Sequence, residues 1–77
     1  MKRSIDGFAL TASAMKGEAH DFWFGVITVE RGGRRVTHRF EQTFFRTRGS
    51  AEAYAMEMVT RVDRVDPDHA LRFAPRP

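Results

Sequence analysis

Apolar and polar positions alternate with period two over two stretches of this chain and then change to helical spacing. Phe8, Leu10, Ala12 and Ala14 alternate with Ala9, Thr11, Ser13 and Met15, the pattern of a half-buried strand. Its residues are small, which makes it a weak strand former. Lys16 to Asp21 are polar with one glycine and read as a loop. From Phe22 to Arg31 the chain is rich in Val, Ile, Thr, Trp and Phe, which suit a pleated surface. Gly32-Gly33 then fits a two-residue hairpin, because both central positions of a type I′ turn need positive φ.

That turn predicts a register. Val29 faces Val36, Ile27 faces His38, Gly25 faces Phe40 and Trp23 faces Gln42 on one side of the sheet. Glu30 faces Arg35, Thr28 faces Thr37, Val26 faces Arg39, Phe24 faces Glu41 and Phe22 faces Thr43 on the other. The Glu30–Arg35 and Thr28–Thr37 pairs are favourable neighbours, and a one-residue slip would exchange the two faces. Gly25 leaves room for the Phe40 ring.

After Phe45 the period lengthens. Ala51, Tyr54, Ala55, Met58, Val62 and Val65 recur at helical spacing, widened by Ala53, Met56 and Val59. Thr47 or Ser50 supplies the N-cap hydroxyl. Glu52 near the start and Arg61 and Arg64 near the end complement the helix dipole, and Glu57 with Arg61 forms an i,i+4 pair. Asp66-Pro67 stops the helix. The predicted fold is α+β, a three-stranded antiparallel meander with one C-terminal helix packed on one face (β-β-β-α). Residues 1–77 form one small domain, of which about 66–77 are a tail, frayed or docked as a short strand.

Size sharpens the problem of stability. A chain of 77 residues buries only about 60% of the surface its unfolded form exposes. With no cysteine it has no disulfides or thiolate zinc sites, so aromatic packing or a partner must stabilise it. Seven Phe, one Trp and one Tyr, mostly in the central hairpin, supply the aromatic mass. The basic Met1-Lys2-Arg3 start runs into Asp6-Gly7 rather than an apolar segment, which argues against a signal peptide. The expected location is cytoplasmic, and no apolar run is long enough for a membrane span.

The total charge is +3, and eleven of the thirteen basic residues are Arg. Residues 31–48 hold six arginines against Glu41 alone, a local +5 that leaves −2 for the rest. Such a field attracts polyanions, although charge on edge strands is also an ordinary defence against aggregation.

The predicted register leaves Phe22, Phe24 and Val26 on the side away from the helix, bordered by Arg35 and Arg39. A middle strand apolar on both sides implies cover on both. The cover is the folded-back tail through Leu71 and Phe73, a second copy, or a ligand. The expected function is therefore a non-enzymatic interaction module that forms a homodimer through this face. The alternative is a nucleic-acid-binding domain in which bases stack on Phe22 or Phe24 and Arg35 and Arg39 meet phosphates. The β-β-β-α order also resembles the double-stranded-RNA-binding domain, whose first helix and Lys cluster are missing here.

Catalytic chemistry has little to draw on. Glu18, His20 and Asp21 share one loop, where carboxylate and imidazole suit a divalent metal or an oriented base. No second cluster completes a shell, so loop polarity is the simpler reading and a small metal-dependent enzyme ranks last. No cofactor or metal is expected. His38 lies opposite Ile27 on the core side, His69 follows Asp68 in the tail, and Met56 and Met58 read as core filler. Ser13, His20 and Asp21 lack any nucleophile elbow.

Gly7-Phe8, Trp23 with the strand after it, Gly32-Gly33, and Phe45-Arg-Thr47 before Ala51-Glu52-Ala53 together resemble a class of short, uncharacterised bacterial proteins of β-β-β-α layout. The resemblance covers about residues 7–65 and implies a fold without a function.

Overall fold

The computed structural model describes residues 2–18 and 21–74. The chain forms β1 (Lys2–Ile5), β2 (Phe8–Lys16), β3 (Trp23–Arg31), β4 (Arg34–Arg39), α1 (Arg48–Arg61), β5 (Val62–Val65) and β6 (Leu71–Phe73). The α+β class holds, but the sheet has four antiparallel strands in the order β1-β2-β3-β4, and β5 and β6 make a second, small sheet. The strand added to the expected three is Lys2–Ile5, which pairs with β2 from Ile5 opposite Phe8 to Lys2 opposite Thr11. Asp6 and Gly7 turn the chain with φ of 54° and 82°, the backbone of a tight Asp-Gly hairpin.

The central hairpin has the predicted register from Arg31 opposite Arg34 to Val26 opposite Arg39. Beyond Arg39 the prediction fails. The Phe40 amide still donates to the Gly25 carbonyl at 3.0 Å, but Trp23 exchanges both backbone hydrogen bonds with Phe45, not with Gln42. Residues 41–44 thus stand opposite Phe24 alone, and the predicted Phe24–Glu41 and Phe22–Thr43 pairs do not form. The polar Glu41-Gln42-Thr43 run turns out of the ladder, closed by the Thr43 amide on the Phe40 carbonyl at 3.4 Å.

The helix begins where Thr47 accepts a hydrogen bond from the Ser50 amide at 3.1 Å. No acidic residue lies in its first turn, so Glu52 comes too late to complement the dipole. The helix ends at Arg61, four residues before the expected stop, and Arg64 belongs to β5. Val62 is already extended, at φ −67° and ψ 123°. The cause is tertiary. The Arg3 guanidinium donates to the carbonyls of Val59 (2.7 Å), Thr60 (3.3 Å) and Val62 (3.1 Å), and the Ala74 amide takes the Arg61 carbonyl at 3.0 Å. The Thr60 and Arg61 carbonyls are ones that a helix end otherwise leaves open, while the Val59 carbonyl also accepts the Val62 amide. The Asp6 carboxylate then accepts from the Val65 amide at 3.1 Å. Val62 and Val65 are both buried, which is why they mimic a helical stripe, but they reach the core from a bulged strand.

The main core lies between the sheet and this second layer. It joins Phe8, Leu10, Ala12, Ile27 and Val29 of the sheet to Ala55, Val59, Val62 and Val65. Gly25 is where the layers approach most closely. A Cβ there would stand 2.9 Å from the Ala51 carbonyl oxygen and 3.1 Å from the Ala55 Cβ. The space at Gly25 is filled by the helix, not by the Phe40 ring. Phe40 instead packs edge-on against Tyr54 at 5.9 Å.

The stretch after Pro67 completes the β5–β6 hairpin by adding β6 to β5 on the helix side of the sheet. Leu71 packs on the core and Phe73 meets Phe40 at 6.5 Å. Leu71 and Phe73 therefore do not cover Phe22 and Phe24. The hairpin loop carries His69 at φ 70°, buried with its ring edge-on to Phe8 at 4.8 Å. The His38 Nε2–H donates to the His69 carbonyl at 2.7 Å.

Two glycine-to-alanine substitutions test the close approach with opposite signs. Gly25→Ala should lower unfolding free energy by about 1–3 kcal/mol, since the added methyl meets backbone. Gly49→Ala, with nothing within 4 Å of the new methyl, should raise it by about 0.4–1 kcal/mol. Urea denaturation of both variants measures the difference; equal midpoints would contradict the proposed packing.

Candidate interaction surface

Side-chain alternation along β3 decides what lies on the side away from the helix. Phe24, Val26, Thr28 and Glu30 share that side with their β2 partners Met15, Ser13, Thr11 and Ala9 and with Arg39, Thr37 and Arg35 of β4. Among the described residues no second layer packs on it. The molecule measures 35 × 34 × 19 Å, a slab with one broad face open.

The sequence-predicted surface residues separate on this face. Phe22 is 40% exposed, but Phe24 is only 4% exposed and Val26 2%. Phe44 covers Phe24. Its ring meets Phe24 edge-on at 6.4 Å and Phe22 at 6.3 Å, and it is itself 51% exposed. The 41–44 excursion makes this possible, because it places Phe44 over the open side and Phe45 on the helix side against Tyr54 at 5.4 Å. Met15, opposite Phe24 in the ladder, is also exposed. The accessible apolar group is therefore Met15, Phe22 and Phe44, seated on a buried Phe24. Sequence pattern missed Phe44 because an unbroken ladder gives it no partner.

A groove of about 360 Å³ runs beside Met15, Phe24 and Phe44, and Lys16, Arg39, Glu18 and Glu41 rim it. Both signs of charge are present. Lys16 pairs with Asp21 at 3.5 Å and Arg35 with Glu30 at 3.2 Å. Both pairs are exposed and contribute little stability. Arg39 makes no ion pair among the described residues. The structure thus brings Arg39 to the aromatic group and leaves Arg35 nearer the hairpin end, beside Lys2 and Thr11.

The candidate chemistry does not assemble. His20 lies outside the described residues, Asp21 is held by Lys16, and Ser13 sits in mid-strand on the open face. No three His, Asp or Glu side chains gather as metal ligands among the described residues. His38 and His69 belong to the packing of the β5–β6 hairpin. Met56 is exposed and Met58 packs on the core. Among the described residues no helix is long and apolar enough to cross a membrane. Compared with protein-family models, curated proteins and solved structures, the chain matches none.

The covering role of Phe44 has a measurable consequence. Phe44→Ala should cost about 1–2 kcal/mol although the residue is half exposed, because it strips water-excluding cover from Phe24. Phe24→Ala should cost more, about 3–5 kcal/mol. Unfolding midpoints in urea give both values, and an unchanged midpoint for Phe44→Ala would show that Phe24 is buried by other means.

Proposed function

We propose that this protein is a non-enzymatic interaction module that self-associates through the open face of its sheet. The carrying observation is the exposed group of Met15, Phe22 and Phe44 on a face without a second layer. Exposed apolar clusters ringed by polar residues are where proteins associate. The mixed rim favours a second copy. In a two-fold contact each patch meets itself, so Lys16 and Arg39 of one copy can approach Glu18 and Glu41 of the other.

Magnitudes set the strength. The four strands hold 4, 9, 9 and 6 residues, and at about 3.3 Å per residue and 4.8 Å between strands the footprint is roughly 440 Å² per copy, below the roughly 800 Å² per partner of a standard interface. The association is accordingly reversible and in the micromolar to millimolar range.

Nucleic-acid binding is the second reading, favoured by Arg39 standing beside exposed rings with no ion pair among the described residues. Glu18, Glu41 and Glu30 on the same face oppose it, since each repels phosphate.

Sedimentation equilibrium from about 10 μM to 1 mM tests the first reading over the range its area implies. Mass should rise with concentration, and Phe44→Lys with Met15→Lys should weaken association at least about tenfold. A strictly monomeric mass throughout overturns it. Titration of labelled single- and double-stranded oligonucleotides at about 50 mM salt tests the second. Binding lost in Arg35→Ala with Arg39→Ala, without self-association, would make the nucleic-acid reading the correct one.

A further inference from the structure

The outer edge of β4 has a chemistry separate from the open face. Around a two-residue turn, antiparallel partners alternate between pairs that exchange backbone hydrogen bonds and pairs that do not. The Phe40 amide bonding the Gly25 carbonyl at 3.0 Å fixes the phase. Arg34, Val36 and His38 bond inward to β3, so the N–H and C=O groups of Arg35, Thr37 and Arg39 point outward. None of these outward groups has a partner among the described residues. Arg35, Thr37 and Arg39 are all exposed. The other edge, β1, has four residues against the six of β4 and is engaged with the helix end through Arg3.

An open edge of this length is a template for a further strand. A second β4 is the wrong occupant. An antiparallel two-fold pairing that uses all three outward residues places Thr37 opposite Thr37 and Arg35 opposite Arg39, twice. Like charges directly opposite are destabilising. The same geometry defines the right occupant. Opposite Arg35 and Arg39 it needs carboxylates on the open-face side. Between them it needs apolar side chains on the other side, beside Val36, His38 and Phe40, which are half-buried. The Glu30–Arg35 pair is exposed on both sides, so exchanging its carboxylate costs little.

We propose that β4 binds an extended acidic peptide segment of a partner protein by strand addition, with carboxylates four residues apart and apolar residues alternating between them. This inference does not rest on self-association: the face is tested at Met15 and Phe44, the edge at Thr37.

The probe is a blocked seven-residue peptide of alternating valine and polar residues, with glutamate at the two outer polar sites and threonine at the centre. Its control has lysine in place of both glutamates. Titration into the full chain, followed by amide NMR, should shift Arg35, Thr37 and Arg39, and the glutamate peptide should bind at least about tenfold more tightly than the control at low salt. Thr37→Pro removes an outward donor while leaving every β3–β4 bond, and should abolish binding. Arg35→Glu with Arg39→Glu, in case the proline disturbs folding, should reverse the preference between the two peptides. Equal affinity for both peptides, shifts confined to Met15 and Phe44, or binding undiminished in both variants would each overturn the proposal.

Discussion

The architecture depends on the contact of helix backbone with sheet backbone at Gly25. Ala51 and Ala55, both fully buried, present almost no side chain there, so α1 rests directly on the middle of β3. This contact fixes the helix along its axis and brings Tyr54 between Phe40 and Phe45. It also fixes the faces of the sheet. With Gly25 under the helix, Ile27 and Val29 enter the core, and Phe24, Val26 and Thr28 are committed to the other side. A side chain at residue 25 would force the helix outward and loosen every contact beyond it. The open aromatic face is thus the reverse side of the packing constraint that forms the core.

A second constraint joins the chain's two ends. Arg3 reaches the end of α1 from the first strand, and Asp6 holds Val65 from the first turn. These contacts span 56 and 59 residues. They end the helix, start β5 and seat the β5–β6 hairpin over the part of the sheet that α1 leaves uncovered. Charge-assisted hydrogen bonds from a half-buried guanidinium are stronger than neutral ones, and here one side chain serves three carbonyls. The small second sheet completes the core of a chain with no disulfide.

These two constraints divide what the sequence reveals from what it hides. The Gly32-Gly33 register is local: turn geometry and side-chain alternation are written in neighbouring residues, and five of the nine predicted pairs form in the ladder, with Gly25 and Phe40 still joined by a backbone hydrogen bond. Thr47 as N-cap is local for the same reason. The helix end is not local. Nothing between Arg61 and Val65 marks a stop, because the stop is supplied by Arg3. The first hairpin was accessible through its Asp-Gly turn, but Lys2–Ile5 is short and half charged and does not read as a strand by pattern. The open face was legible by parity, which placed Phe22, Phe24 and Arg39 on it. Its exposed centre was not. That depends on four residues leaving the ladder opposite Phe24, an event set by tertiary closure between Trp23 and Phe45 and invisible to an assumed continuous register.

The 41–44 excursion also determines what kind of surface the face can be. Without it, Phe24 would lie bare at the centre of the sheet, and the domain would need a partner to bury it. With Phe44 folded over, Phe24 is dry in the single chain, and the apolar group that remains outside consists of side chains already half buried against one another. Such a surface is preformed and loses little conformational freedom when a partner arrives. It also contributes less new burial than a bare Phe24 would. Under the proposed function, the balance favours a module stable as a monomer that associates reversibly. The two surfaces proposed for recognition, an aromatic face and a cationic strand edge, both lie outside the core of this small slab-shaped domain.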